Sequence, residues 1–146
     1  MKLEISVNID RTPQAVWAVL MNVERWPEWT PSVTAVERLE QSAFGIGSRV
    51  RVRQPKLKAL VWQVSEFQPG HRFTWEARSV GIYVAASHAV SADARGGSTV
   101  TLSIDQRGWL AWLLNPFISN LTRRYVEMEA QGLKRRCEEF ARVNTN

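Results

Sequence analysis

Between residues 33 and 107 the chain shows no convincing helical periodicity, and this limits the fold more than any other feature. Apolar and polar residues alternate instead in runs over 33–40, 48–54, 59–67, 72–78, 82–91 and 98–107, the period-two spacing of half-buried strands. Gly45-Ile46-Gly47, Pro69-Gly70, Gly81 and Gly96-Gly97 separate the runs. Gaps this short hold no crossover helix, so neighbouring strands must be antiparallel.

The ends of the chain supply what covers such a sheet. Leu3, Ile5, Val7 and Ile9 alternate with Glu4, Ser6, Asn8 and Asp10, which adds a seventh strand. A helix follows, with Thr12 as N-cap, Pro13 in the first helical position and Val16, Trp17 and Leu20 at helical spacing. The next stretch, "VERWPEWTP" at 23–31, holds two tryptophans and two prolines. Pro27 and Pro31 each lack an amide proton and restrict the residue before them, so the stretch reads as a short helix and a turn. The last third returns to a helical period, with Ile118, Leu121, Tyr125, Met128, Gly132, Leu133, Cys137 and Phe140 on one stripe. A sheet with one large helical partner predicts an α+β fold: a curved seven-stranded antiparallel sheet wrapped around a long C-terminal helix, with two short helices after the first strand closing one end. Without linker or repeat, residues 1–146 read as one domain.

Composition narrows the function classes. A net charge of +5 raises the question of nucleic acid or anionic lipid. Arg49, Arg51 and Arg53 alternate with Val50 and Val52 on the water-facing side of a strand, Lys56 and Lys58 extend that phase, and Arg123, Arg124, Lys134, Arg135, Arg136 and Arg142 are spread along the helix. No nucleic-acid motif accompanies them, so a solvated basic face is expected and no nucleic-acid partner. The single Cys137 has no disulfide partner, and with two histidines no metal site is expected. Glycines form no phosphate loop, serines form no nucleophile elbow, and no cofactor is expected. The N-terminus lacks the apolar run of a signal peptide, and the longest apolar stretch, residues 108–121, contains Pro116 and two asparagines and is too short for a membrane span. A cytoplasmic location is the expectation.

Strand pairing places candidate site residues. If Pro69-Gly70 closes a two- or four-residue loop, Glu66 lies beside Phe73, Val64 beside Trp75 and Trp62 beside Ala77. A two-residue Val80-Gly81 connection sets Val84 beside Ala77, Ala86 beside Trp75 and His88 beside Phe73, and the same parity sets Leu102 beside His88. Glu66 and His88 then share one row of an apolar face, about 10 Å apart at two strand spacings. A carboxylate and an imidazole so placed suit general acid–base work or the orientation of a ligand carbonyl or hydroxyl. A three-residue turn would remove Glu66 from the row, and Glu66 could equally meet Arg72, Arg107 or solvent. Ala77, Val84 and Ala86 leave room on this wall, which Trp17, Trp62 and Trp75 could fill. Gly132 costs about 1 kcal/mol relative to alanine inside a helix, so it either permits a close approach there or is simply tolerated.

The segments "ISVNIDRTPQAVWAVLMNVERWPEW", "VWQVSEFQPGHRFTWE", "GGSTVTLSIDQRG" and "WLAWLLNPFISNLTRRYVEMEAQGLKRRCEEF" together resemble the START-like (SRPBCC) superfamily of polyketide cyclase/dehydrase and lipid-transport proteins, which share the helix-grip fold. The resemblance implies a hydrophobic cavity between sheet and long helix that binds a small hydrophobic or aromatic ligand, lipid or polyketide-like. The short helices would plug one end, with Trp26 as closure. Residues expected to touch the ligand are Trp29, Trp62, Phe73, Trp75, Val84, Ala86, His88, Leu102, Tyr125 and Met128. Two alternatives remain beside this: a cyclase or dehydratase using Glu66 or His88, and a protein-interaction module using the basic outer face.

Overall fold

The computed structural model describes residues 1–143, with side chains through Glu139, so the side chains of Phe140 and Arg142 lie outside the described residues. The elements follow as β1 (Lys2–Ile9), α1 (Pro13–Met21), a 3-10 turn (Val23–Glu28), β2 (Ala35–Arg38), β3 (Arg49–Arg53), β4 (Leu60–Gln68), β5 (Arg72–Ser79), β6 (Ile82–Ala92), β7 (Ser98–Arg107), α2 (Trp109–Leu113) and α3 (Asn115–Val143). The seven strands form one sheet in the order β1-β7-β6-β5-β4-β3-β2, every pair antiparallel. β1 and β2 are the two edges, so α1 and the 3-10 turn carry the chain from one edge to the other. On the outer face Arg49 and Arg51 pair with Glu40 and Glu37 at 2.6 and 3.2 Å.

Local chemistry sets the connecting helices. The Thr12 hydroxyl accepts from the Ala15 amide at 3.3 Å, Pro13 sits where its missing N–H costs nothing, and Val16 and Leu20 are fully buried one turn apart. Pro27 falls inside the six-residue 3-10 turn, whose end is closed by the Trp26 carbonyl accepting from the Trp29 and Thr30 amides at 3.0 Å each. The Trp26 indole N–H donates to the Leu20 carbonyl at 3.1 Å, which satisfies its one polar atom inside the core.

One register differs from expectation. Gln68 pairs with Arg72 across a three-residue turn, Pro69-Gly70-His71, with Gly70 at φ 78 and the His71 amide donating to the Gln68 carbonyl at 2.9 Å. Phe67, not Glu66, therefore faces Phe73, and Glu66 faces Thr74. Ser65 is then an extra residue, a β-bulge between Val64 and Glu66 that returns Val64 to Trp75 and Trp62 to Ala77. The expected place of Glu66 in the inner row is thus corrected: it pairs with Arg72 at 3.3 Å on the exposed side. Beyond β4, Phe73 faces His88 and His88 faces Leu102.

α3 packs with its middle turn against the 3-10 turn. A Cβ built on Gly132 would lie 2.0 Å from the Trp29 carbonyl oxygen, so only glycine allows this crossing. Leu133 and Cys137 beyond it are buried, and burial pushes the Cys137 thiol from 9.0 up to about 11. α2, a short helix before α3, has no counterpart in the sequence reading. It is tied to the β5–β6 turn, because the Leu110 amide donates to the Gly81 carbonyl at 3.0 Å and a Cβ on Gly108 would meet the same oxygen at 2.3 Å.

Gly132→Ala should lower the unfolding free energy by about 2–3 kcal/mol, the overpacking cost, where a free helical site would gain about 1 kcal/mol from the same change. Urea denaturation reads the sign, and a stabilised variant would contradict the crossing.

Candidate functional site

The register stacks three rows across the inner face of the sheet. The first is Phe67, Phe73, His88 and Leu102; the second Val64, Trp75, Ala86 and Ile104; the third Trp62, Ala77, Val84 and Gln106. The Phe67–Phe73 end of the first row is closed off by rings. Trp17, Phe44, Phe67 and Phe73 meet with centroids 5.5 to 6.2 Å apart, a solid aromatic block. The other two rows carry alanine and valine opposite α3, and there the space stays open. A cavity of about 400 Å³ lies between these rows, with His88 and Leu102 of the first, and the first half of α3, within the range of about 300–1,000 Å³ for small-molecule sites.

From the sheet, Trp62, Trp75, Val84, Ala86, His88 and Leu102 line this cavity, and from α3 Tyr125 does. Trp29, Phe73 and Met128 stand elsewhere. Trp29 is buried with its carbonyl under Gly132, Phe73 is fully buried in the aromatic block, and Met128 is half-buried one residue off the lining face of α3. Trp26 is in the wall where Trp29 was expected, its ring 5.2 Å from Trp75 and 5.3 Å from His88.

His88 is the polar centre of the wall. Its side chain is 4% exposed, and its ring lies flat on Phe73 at 4.3 Å with an interplanar angle of 9°. Trp26 and Trp75 enclose it further. Its Nε2 lies 3.0 Å from Oε1 of Glu129, which reaches down from α3 and also lines the cavity. A carboxylate accepts, so the network assigns a proton to Nε2; Nδ1 is buried with no partner among the described residues. The partner of His88 is therefore a helical glutamate, not Glu66.

A second polar group sits farther along the wall. Gln106 donates through Nε2 to the Thr122 hydroxyl at 2.9 Å, joining β7 to α3, and its buried Oε1 has no partner among the described residues. Both residues line the cavity. Leu57 and Leu114 line it too while remaining 44% and 38% exposed, which marks its mouth between the β3–β4 loop and the start of α3. The Tyr125 hydroxyl donates to the Pro55 carbonyl and fastens that loop to α3.

Glu129 and Gln106 escaped the sequence reading although each carried a signal. Glu129 stands four residues after Tyr125 and four before Leu133, a carboxylate on an apolar helical stripe. Gln106 continues the inward parity of 100, 102 and 104 on β7. Among the described residues no group of three or more His, Cys, Asp or Glu side chains is placed to hold a metal ion.

The family described as polyketide cyclase / dehydrase and lipid transport matches residues 1–138 of this chain. Among solved structures, a START superfamily protein from Mycobacterium smegmatis superposes with a TM-score of 0.80 at 13% identity, covering 95% of this chain and 98% of its own. The Zhui aromatase/cyclase from Streptomyces sp. R1128 gives 0.79 at 14% identity over 94% of this chain and 93% of its own. A point mutant of norcoclaurine synthase from Thalictrum flavum, in complex with a transition-state analogue, gives 0.76 at 11% identity over 97% and 96%. These likenesses establish the helix-grip fold. No curated protein sequence matches the chain significantly.

If His88 and Glu129 act as one buried unit, His88→Phe and Glu129→Leu should each destabilise by about 1–3 kcal/mol, with the double variant recovering about 1 kcal/mol of the sum. A urea-denaturation double-mutant cycle measures the coupling, and strict additivity would break the pair.

Proposed function

The chain belongs to the polyketide cyclase/dehydrase and lipid transport family, and on that premise we propose that it holds a small hydrophobic or aromatic guest, lipid or polyketide-like, in the cavity between sheet and α3. The observation that carries this reading is the cavity itself: about 400 Å³ of space walled by Trp62, Trp75, Val84, Ala86 and Leu102. Apolar walls supply affinity, and a few polar groups fix orientation. Here those groups are the His88–Glu129 pair and the unpartnered Oε1 of Gln106. A guest hydroxyl suits Gln106, and a carbonyl or hydroxyl suits the pair. A guest of roughly twenty non-hydrogen atoms, at about 0.3 kcal/mol per atom, binds with about 6 kcal/mol, a Kd of tens of micromolar.

A second reading is favoured by the same pair. A carboxylate and an imidazole within hydrogen-bond reach, both facing an apolar chamber, can take a proton from one guest atom and return one to another. In a cyclase- or dehydratase-like reaction Glu129 would take a proton from the guest and so release the Nε2–H of His88, which it accepts at rest, to donate to the developing oxyanion. The interaction-module reading has less to stand on, since Arg49 and Arg51 of the basic strand already pair with Glu40 and Glu37.

Native mass spectrometry of the purified protein should show a retained small molecule, and the fluorescent apolar probe N-phenyl-1-naphthylamine should bind. Ala86→Trp, which fills the chamber, should weaken probe binding by tenfold or more with the circular dichroism unchanged; equal binding would remove the cavity from function. His88→Phe with Glu129→Gln separates the readings. Turnover of a guest that survives this double change would dismiss His88 and Glu129 as its acid and base, and no turnover by the unaltered protein would leave a carrier.

A further inference from the structure

α2 is apolar on both of its sides. Leu110 and Ala111 line the cavity, while Trp109 and Trp112 point away from it, 63% and 80% exposed. Phe117 in the first turns of α3 is 80% exposed, and Leu113 is exposed between them. An apolar element of this kind is normally buried on every side, and single exposed apolar residues are ordinary whereas a cluster of wide rings is not. The β5–β6 turn belongs to the same patch: a Cβ on Gly81 would lie 2.7 Å from the Trp109 ring, and Val80 beside it is 81% exposed. The patch is braced, because the Leu110 amide is bonded to the Gly81 carbonyl and Gly108 lies against the same oxygen. It also borders the cavity mouth, since Leu114 belongs to both.

Charge selects the occupant. Residues 106–126 contain no aspartate or glutamate and three arginines, Arg107, Arg123 and Arg124. Arg107 is paired with Asp105 at 2.6 Å, whereas Arg123 and Arg124 are exposed on α3 beyond Phe117. At the mouth, Lys56 and Lys58 flank the exposed Leu57. A second copy of the chain covering this patch through a twofold contact would set these cations against themselves, with no carboxylate from 106–126 to meet them. An anionic bilayer meets both features at once. Tryptophan rings settle at the headgroup level, apolar side chains enter the acyl boundary, and basic residues find anionic lipid.

We propose that Trp109, Trp112, Leu113, Phe117 and Val80 form a membrane-docking rim that seats the cavity mouth on an anionic phospholipid surface. Docking itself needs no guest. Its use, passing an apolar guest between bilayer and chamber without a passage through water, rests on the ligand-binding reading above.

Co-sedimentation with vesicles of phosphatidylcholine and phosphatidylglycerol in equal parts tests this, with pure phosphatidylcholine vesicles beside them. The protein should partition to the anionic vesicles, and Trp112→Ser with Phe117→Ser should reduce that partition about tenfold or more. Arg123→Ser with Arg124→Ser should reduce it severalfold at low salt and little at high salt. N-phenyl-1-naphthylamine uptake by the Trp112/Phe117 double variant should match that of the unaltered protein, because neither side chain lines the cavity. No partition of the unaltered protein, or equal partition of the double variant, overturns the proposal. A concentration-dependent dimer abolished by Trp112→Ser with Phe117→Ser overturns it too, and makes a second copy the occupant. Intact partition with no probe uptake sustains the docking and removes the cavity reading instead.

Discussion

The whole arrangement turns on one contact between backbones. Where α3 crosses the end of the 3-10 turn, Gly132 lies so close to the Trp29 carbonyl that no other residue fits. A helix crossing at such range has little freedom to shift along or away from its support. On one side of that point Leu133 and Cys137 are sealed into the core; on the other Tyr125, Val126 and Glu129 face open space. The same helix is therefore packing element in one half and cavity wall in the other. Trp26 and Trp29, with rings 5.4 Å apart, are the block it rests on. Truncating a buried tryptophan of this kind costs about 3–5 kcal/mol, which is the scale of what holds the crossing in place.

Most of the sheet was legible because a period of two leaves little choice. Seven runs, short turns and one long amphipathic helix have few arrangements, and each strand was recognised close to its observed bounds. The exception is instructive. Parity counting assumes that each residue advances the face by one step, and Ser65 breaks that assumption. A bulge is an insertion that its own strand does not advertise; here it offsets a three-residue turn, so that Trp62 and Val64 keep their expected partners while Glu66 and Phe67 exchange faces. The nearer the turn, the more the register depends on the turn, and Glu66 was the nearer.

Strand phase places the sheet side of the candidate cavity wall, His88 included, but says nothing of the partners of its polar groups. Ala77, Val84 and Ala86 follow from strand phase alone. The partner of His88 comes from another layer, forty-one residues along the chain, and strand parity carries no information about it. What the helix offers is a carboxylate on an apolar stripe, a cost that folding bears only where a partner or water receives it. His88 supplies that partner. Its own place is set by Phe73, which lies flat against the ring and fixes the plane in which Nε2 can point. Phe73 thus acts on the site through His88, without a share in the cavity wall.

The seven tryptophans divide by what surrounds them, and no property of the residue separates the groups. Trp17, Trp26, Trp29, Trp62 and Trp75 pack against other rings, while Trp109 and Trp112 face solvent. Of the largely apolar run 109–118 only Ala111 is buried and Leu110 and Ile118 half-buried; the rest is exposed. What stops the rest from burying itself is the anchor beneath it: Gly108 and Gly81 hold α2 so that Leu110 and Ala111 take the inward positions, and a helix of five residues has only one inward side. With that anchor fixed, further apolar residues must point outward. Serine at Trp112 or Phe117, each 80% exposed, would cost the fold little, and the proposed docking surface gives these rings a role that packing does not. On the membrane-docking proposal they meet a bilayer at the mouth of the apolar chamber between sheet and α3, through which a guest would pass.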